Sequence, residues 1–201
     1  MIEGAPRINL TVPNLLSLLR MGMVPLFIVA VIDGEARKAL AVFALAGVTD
    51  LLDGAIARFF HQQSPLGRYL DPTADKLLLI SAYVMLAIPG LFPGQPIPIW
   101  ISVLVITRDV LIVVLALVLY LSHGISRFVP TAISKLNTAV QIATVILALL
   151  TGVFPRFFDT PSLVANYSTA ALTLASGLDY IYRANQMVVA PPAKDESDAS
   201  T

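Results

Sequence analysis

The chain has 201 residues, of which 57% are hydrophobic and only 13% are charged. Soluble domains carry roughly twice this share of charged residues, so the composition argues against an ordinary soluble fold and predicts a protein embedded in a bilayer. The 13 Lys and Arg residues balance the 13 Asp and Glu residues, which argues against a nucleic-acid-binding surface. The absence of cysteine excludes disulfides and thiol chemistry.

Six apolar segments are long enough to cross a bilayer, whose hydrocarbon core of about 30 Å needs roughly 20 helical residues. They cover residues 11–32, 38–60, 69–92, 98–122, 129–153 and 161–183. The sequence therefore predicts an all-α fold, a polytopic bundle of six transmembrane helices that forms one domain over residues 1–186. The remaining residues, 187–201, are polar from Pro191 onward and are predicted to form a disordered tail.

The basic residues around the predicted connections indicate the orientation of the bundle. Lys and Arg residues near one face outnumber those in the opposite loops, which are Arg37, Lys38 and Arg156. By the positive-inside rule the richer face is cytoplasmic, so both termini are predicted inside the cell, with the protein in its inner or plasma membrane. In this topology the end of the second segment and the start of the third lie near the cytoplasmic face.

Four aspartates flank the connection between the second and third segments. Asp50 and Asp53 are three residues apart, and Asp71 and Asp75 are four apart, so each pair shares one helix face. Carboxylates that repel one another in a low dielectric need a positive partner, and their oxygens suit Mg²⁺ or Mn²⁺. The pattern predicts two such ions, an arrangement typical of displacement at phosphorus.

Small residues and one arginine accompany the aspartates. Gly54 and Ala57 lie on the stripe of Asp50 and leave room for a ligand, while Arg58 is suited to a bidentate contact with phosphate. Two structural alternatives remain open. Small residues also allow close helix packing in membranes, and Asp71 before a proline is a common helix cap.

Residues 50–75 match the pattern D-x2-D-G-x2-A-R-x8-G-x3-D-x3-D, the signature of the CDP-alcohol phosphatidyltransferases, and the chain resembles this family. The segments 12–20 and 176–180 are also similar to its phosphatidylglycerolphosphate and cardiolipin synthases. The resemblance implies six transmembrane helices, a homodimer and a polar cavity open to the cytoplasm. It implies transfer of the phosphatidyl group of CDP-diacylglycerol to an alcohol, with release of CMP.

The resemblance also assigns roles to residues. The metal ions would be held by Asp50, Asp53, Asp71 and Asp75. Asp75 would in addition be the catalytic base that takes the proton of the acceptor. The CDP moiety would be bound by Gly54, Ala57, Arg58 and Gly67.

Segments 106–110 and 133–141 resemble the CMP-forming cardiolipin synthases. Phosphatidylglycerolphosphate synthases commonly have a second lysine where Asn137 stands, and a missing cation fits a singly charged acceptor better than a dianion. We therefore predict phosphatidylglycerol as the acceptor and cardiolipin as the product, with Arg108, Lys135 and Asn137 in the acceptor site. Glycerol 3-phosphate, which would give phosphatidylglycerol phosphate, is the alternative.

A rival function is cation or proton transport, since intramembrane carboxylates are typical of transporters as well. The clustering of the aspartates near one face argues against a relay across the bilayer. Arg20 lies near the middle of the first segment, where we expect it to pair with a carboxylate or a ligand. Arg108 and Asp109 have a structural alternative as charges that join helices.

Overall fold

The computed structural model describes residues 12–59, 67–123 and 131–189, and every regular element in these ranges is an α-helix. The helices are α1 (Val12–Ile32), α2 (Ala36–Phe59), α3 (Gly67–Ala87), α4 (Ile99–His123), α5 (Ala132–Val153) and α6 (Asp159–Val189). The predicted all-α class is confirmed for the described residues, and each predicted apolar segment corresponds to one helix.

Two boundaries differ from those predicted by five residues or more, while the others agree within three. Helix α3 ends at Ala87 rather than at residue 92, because Pro89 cannot continue the hydrogen-bond ladder and Gly90 adopts a φ of 79°. Helix α6 continues to Val189 and includes residues 187–189 of the predicted tail, which are apolar. The rest of that tail, residues 190–201, lies outside the described residues.

A tight turn reverses the chain between α1 and α2. Gly34 adopts a φ of 69°, in the left-handed region that favours glycine. The backbone amides of Asp33 and Glu35 donate hydrogen bonds to the carbonyls of Val29 and Ala30, which closes the last turn of α1. Helix α2 therefore starts only a few residues after α1 ends and packs along it.

The helices pack in two groups. Helix α1 contacts both α2 and α3 extensively, while α6 contacts α4 and α5, and α2 packs on α5 to join the groups. The direct contact between α2 and α3 is small, so α1 is the element that brings them together. The joint core is apolar and includes Phe27, Phe43, Tyr83, Leu86, Ile101 and Leu149.

Neutral polar side chains line the contact of α5 with α6. The Oγ1 atoms of Thr144 and Thr169 are 2.7 Å apart, and Thr173 Oγ1 donates to Asn137 Oδ1 over 3.0 Å. All four residues are buried. We call Asn137, Thr144, Thr169 and Thr173 the polar seam.

The outer surface of the bundle is apolar, with large side chains such as Val113 and Leu178 exposed. Among the described residues, three helices are long and apolar enough to cross a membrane by length and composition, over Asn14–Ile32, Ile99–Val118 and Ala132–Val153. These features indicate an integral membrane protein. A crossing by all six helices stays a prediction.

Candidate active site

The site begins with a polar stripe on α1. Asn14, Ser17 and Arg20 recur at intervals of three residues on the buried face of this helix. The Arg20 side chain is only 1% exposed, and its Nη1 atom lies 2.9 Å from Asp50 Oδ1 on α2. The same nitrogen also donates a hydrogen bond to Asp75 Oδ1 on α3. Of the two predicted kinds of partner for Arg20, a carboxylate or a ligand, the structure shows the carboxylate, and two carboxylates are involved.

Both carboxylates remain accessible although Arg20 is buried. The side chains of Asp50 and Asp75 are 42% and 46% exposed. They line a small cavity of about 120 Å³ together with Arg20 and Lys76, and its other walls are largely apolar. One guanidinium thus faces two carboxylates at an open cavity, which leaves an excess negative charge among these three groups.

The other predicted residues of the metal and CDP sites lie on the helix ends that flank the connection. Asp53, Gly54, Ala57 and Arg58 belong to the last turns of α2. Gly67 and Asp71 belong to the first turns of α3. The structure describes their helical backbone, and their side chains lie outside the description. Both helices are continuous here, and the grouping of each pair of aspartates on one face stays a prediction.

The described part of the site fits a hard divalent cation in its chemistry. Asp50 and Asp75 come from different helices, yet their carboxylate oxygens converge on one positive charge. Such oxygens are the ligands that Mg²⁺ and Mn²⁺ prefer. No group of three or more His, Cys, Asp or Glu residues was found among the described side chains, which do not include those of Asp53 and Asp71. The complete ligand set stays a prediction.

A second charged cluster joins α3, α4, α5 and α6. Lys76 Nζ lies 2.5 Å from Asp109 Oδ2, and Arg108 Nη1 lies 2.7 Å from Asp109 Oδ1. Arg108 Nη2 also donates to Ser134 Oγ at 2.7 Å and to Ser176 Oγ. Its guanidinium carbon lies 5.6 Å from the centre of the Tyr180 ring, within range of a cation–π contact.

The charged cluster borders a larger cavity of about 450 Å³. Lys76, Arg108 and Asp109 line it, together with branched apolar side chains of α3 and α4. Lys76 and Thr138 line this cavity and the smaller cavity of Asp50 and Asp75. The two cavities are therefore neighbours that share one wall.

The three predicted acceptor residues do not lie together. Arg108 is at the larger cavity, whereas the exposed Lys135 lines neither cavity. Asn137 is fully buried in the polar seam against Thr173. A lysine in place of Asn137 would have to bury its ammonium group between two helices, which is costly without a paired charge.

Sequence reasoning did not single out Lys76 or the contact that it makes with Asp109. Lys76 directly follows Asp75 and so points about 100° away from it around α3. That direction leads toward α4 and the larger cavity. In both Lys76 and Asp109, a charge inside an apolar helix was the sequence signal that could have drawn attention to them. Their pairing could not be inferred from this signal, because it depends on how α3 packs against α4.

The family of the chain follows from comparison with known proteins. Residues 10–178 match the model of the CDP-alcohol phosphatidyltransferase family. The chain belongs to this family. The signature pattern at residues 50–75 lies inside the match and includes Asp50 and Asp75, which the structure brings together at Arg20.

Named relatives fall into two groups. Human cardiolipin synthase (CMP-forming) is 38% identical, over 89% of this chain and 63% of the relative. A probable cardiolipin synthase (CMP-forming) of Drosophila melanogaster is 34% identical, over 86% of this chain and 57% of the relative. A probable phosphatidylglycerophosphate synthase of Mycobacterium tuberculosis is 34% identical, over 91% of this chain and 85% of the relative. The chain thus spans less than two thirds of the length of the human and fly relatives.

Proposed function

We propose that this protein is a membrane phosphatidyltransferase of phospholipid biosynthesis. It transfers the phosphatidyl group of CDP-diacylglycerol to the hydroxyl of a glycerol-type acceptor and releases CMP. The observation that carries the proposal is the convergence of Asp50 and Asp75 on Arg20 at an accessible cavity, inside the signature of the family. Family membership favours this function over cation or proton transport.

The chain's own residues have distinct tasks in the reaction. Asp75 accepts the proton of the acceptor hydroxyl while the hydroxyl oxygen forms a bond to the phosphorus that carries diacylglycerol. The bond from this phosphorus to the bridging oxygen breaks, and CMP leaves with that oxygen. Arg20 holds the carboxylates of Asp50 and Asp75 in place from α1. Gly54, Ala57, Arg58 and Gly67 are the proposed CDP-binding residues.

Divalent metal ions belong to this proposal, with Asp50, Asp53, Asp71 and Asp75 as the residues that would hold them. Mg²⁺ or Mn²⁺ bound there would offset the charge of the diphosphate. The accessible carboxylates of Asp50 and Asp75, which share the single positive charge of Arg20, support this assignment.

Phosphatidylglycerol is the proposed acceptor, which makes cardiolipin the product. The similarity to the human and fly proteins supports it. Glycerol 3-phosphate is the second candidate, because the chain covers 85% of the mycobacterial relative whose name specifies phosphatidylglycerophosphate synthesis. Arg108, Lys135 and Asn137 stay predicted acceptor residues, and of these Arg108 has the position that fits best, at a cavity next to Asp75.

Six transmembrane helices, cytoplasmic termini, a site that opens to the cytoplasm and a homodimer complete the proposal. The aspartates of α2 and α3 all lie in the halves of these helices that flank their connection, which supports placing that side near a polar face. Cysteine scanning with a membrane-impermeant reagent tests the orientation, and since the chain has no cysteine, the background is clean.

A competition assay tests the function. Purified protein receives CDP-diacylglycerol together with phosphatidylglycerol and glycerol 3-phosphate that carry different labels, and CMP and lipid products are measured. We expect CMP release with cardiolipin as the main product. Phosphatidylglycerol phosphate as the only product would make the acceptor assignment wrong, and absence of CMP release with both acceptors would contradict the transferase assignment.

A further inference from the structure

The larger cavity is an open cleft between α3 and α4. These two helices make few direct contacts, while α4 packs on α6. Most of the lining is apolar and branched, and this part comprises Ile80, Ile106, Val110, Ile112, Val113 and Val114. Ser134 and Thr138 of α5 and Tyr180 of α6 line the cleft as well. Val110, Val113 and Val114 are also exposed on the outer surface of the bundle. The cleft is therefore accessible from the side, where an integral membrane protein meets lipid.

The cleft holds three charged side chains in a mostly apolar lining. Lys76 and Arg108 contribute two positive charges, and Asp109 contributes one negative charge. Arg108 and Asp109 have side chains only 6% and 10% exposed. The Nε atom of Arg108 is buried and makes no hydrogen bond within the described part of the chain. The cluster thus carries one net positive charge.

We propose that this cleft binds a second lipid, an anionic glycerophospholipid with one phosphodiester, and that Lys76, Asp109 and Arg108 recognise its single negative charge. The inference rests on the proposed function, and it identifies where the lipid acceptor enters. The acyl chain of the lipid packs against the apolar walls of α3 and α4. Its phosphate meets the charged cluster, where Lys76 changes partner from Asp109 to the phosphate.

The position of Lys76 connects this lipid to the reaction. Lys76 lines both cavities and follows Asp75 in sequence, so a head group held by Lys76 extends toward the proposed base. The cavity volume of about 450 Å³ lies within the range of ordinary ligand pockets. The cleft thus provides an apolar region for the acyl chain and, next to it, a cationic region for the phosphate.

The charge of the cluster selects the class of lipid. A phosphodiester carries one negative charge and neutralises the net charge of Lys76, Asp109 and Arg108. A phosphomonoester dianion would leave an excess negative charge beside Asp109, and a zwitterionic lipid would bring a cation close to Lys76 and Arg108. In an apolar surrounding, such imbalances are costly.

Lipid binding without turnover is the direct test. Radiolabelled dioleoylphosphatidylglycerol is titrated onto the purified protein in neutral detergent with EDTA and no CDP-diacylglycerol. Lys76→Gln removes the exchangeable cation, and Ile106→Phe narrows the cleft without a change in charge. We expect each variant to weaken binding about tenfold or more, the size of the loss of one charge-assisted or one apolar contact. Lys38→Gln, at the far end of α2 and paired with Glu35, is the matched control and should bind normally.

Competition completes the test. In the wild-type protein, dioleoylphosphatidylcholine and glycerol 3-phosphate should displace the label poorly, while Asp109→Asn should make glycerol 3-phosphate a better competitor because the cluster then carries two positive charges. Normal binding by both Lys76→Gln and Ile106→Phe would overturn the proposal. So would equal displacement by glycerol 3-phosphate and unlabelled phosphatidylglycerol in the wild type. Specific lipid binding without CMP release in the activity assay would support the lipid site and contradict the proposed reaction.

Discussion

The aspartate site and the polar seam place polar groups inside the same bundle in opposite ways. At the site, Arg20 meets two charged carboxylates, and both of them remain accessible. In the seam, Asn137, Thr144, Thr169 and Thr173 are neutral, buried and hydrogen-bonded between α5 and α6. The site therefore holds two carboxylates against the single charge of Arg20, whereas the seam is neutral and pairs its three hydroxyls within the bundle. Of the seam's side chains, Asn137 keeps one buried amide nitrogen that has no hydrogen-bond partner among the described residues. Changes at the site should affect chemistry, and changes in the seam should affect stability.

The largest expected effect comes from removal of divalent metal. Excess EDTA should abolish CMP release, because Asp50 and Asp75 present more negative charge than Arg20 compensates and the diphosphate of the substrate adds to it. CMP release is measured before and after chelation, and an excess of Mg²⁺ should restore it. Far-ultraviolet circular dichroism serves as the control for helix content. Full activity in EDTA would contradict the metal assignment.

Asp75→Asn should produce the next largest effect. The amide keeps the size of the side chain but removes the proposed base and one carboxylate charge, so CMP release should fall by about 10²-fold or more. The matched control is Asp33→Asn, the same chemical change at an exposed residue in the turn between α1 and α2, which should retain activity. Wild-type turnover by a folded Asp75→Asn protein would show that the role of Asp75 is wrong.

The helices and the aspartate site could largely be predicted from the sequence, because both depend on the spacing of residues within single helices. Apolar segments of membrane-spanning length predict the helices, and the spacing of Asp50 to Asp75 predicts the site. The sequence also indicates that Arg20 needs a carboxylate near it. Its two partners could not be chosen from sequence alone, since they depend on α1 packing against both α2 and α3.

The roles of polar residues whose neighbours come from distant helices could not be predicted from the sequence. Asn137 in an apolar helix has the same sequence signal whether it binds a substrate or hydrogen-bonds to another helix, and the structure places it against Thr173. The contact of Lys76 with Asp109 likewise spans two helices. Such contacts are set by packing, which the spacing of residues within one helix does not specify.

Arg20→Gln should have an effect of intermediate size. It should lower the stability of the protein as well as its activity. Removing the guanidinium leaves Asp50 and Asp75 without their shared positive partner, which should cost roughly 2 kcal/mol in the metal-free protein. Mg²⁺ should restore more stability to this variant than to the wild type, because the guanidinium no longer competes with the metal for the two carboxylates. Unfolding in mixed detergent micelles with EDTA or with Mg²⁺ measures both effects. An equal response to Mg²⁺ in the two proteins would contradict the idea that Arg20 and the metal share these carboxylates.

The smallest expected effect is in the seam, at the contact of Thr144 with Thr169. Thr→Val keeps the shape of the side chain and removes only the hydroxyl, so Thr144→Val, Thr169→Val and the double variant form a mutant cycle. We expect a coupling of about 0.6 kcal/mol in the free energy of unfolding, the average for hydrogen bonds between membrane helices. The value should be this small because Thr144 Oγ1 also lies within hydrogen-bonding distance of the carbonyls of Val140 and Ala165. CMP release should stay at the wild-type rate in all three variants. A loss of activity larger than the loss of stability explains would mean that the seam takes part in the chemistry and that the contrast with the aspartate site does not hold.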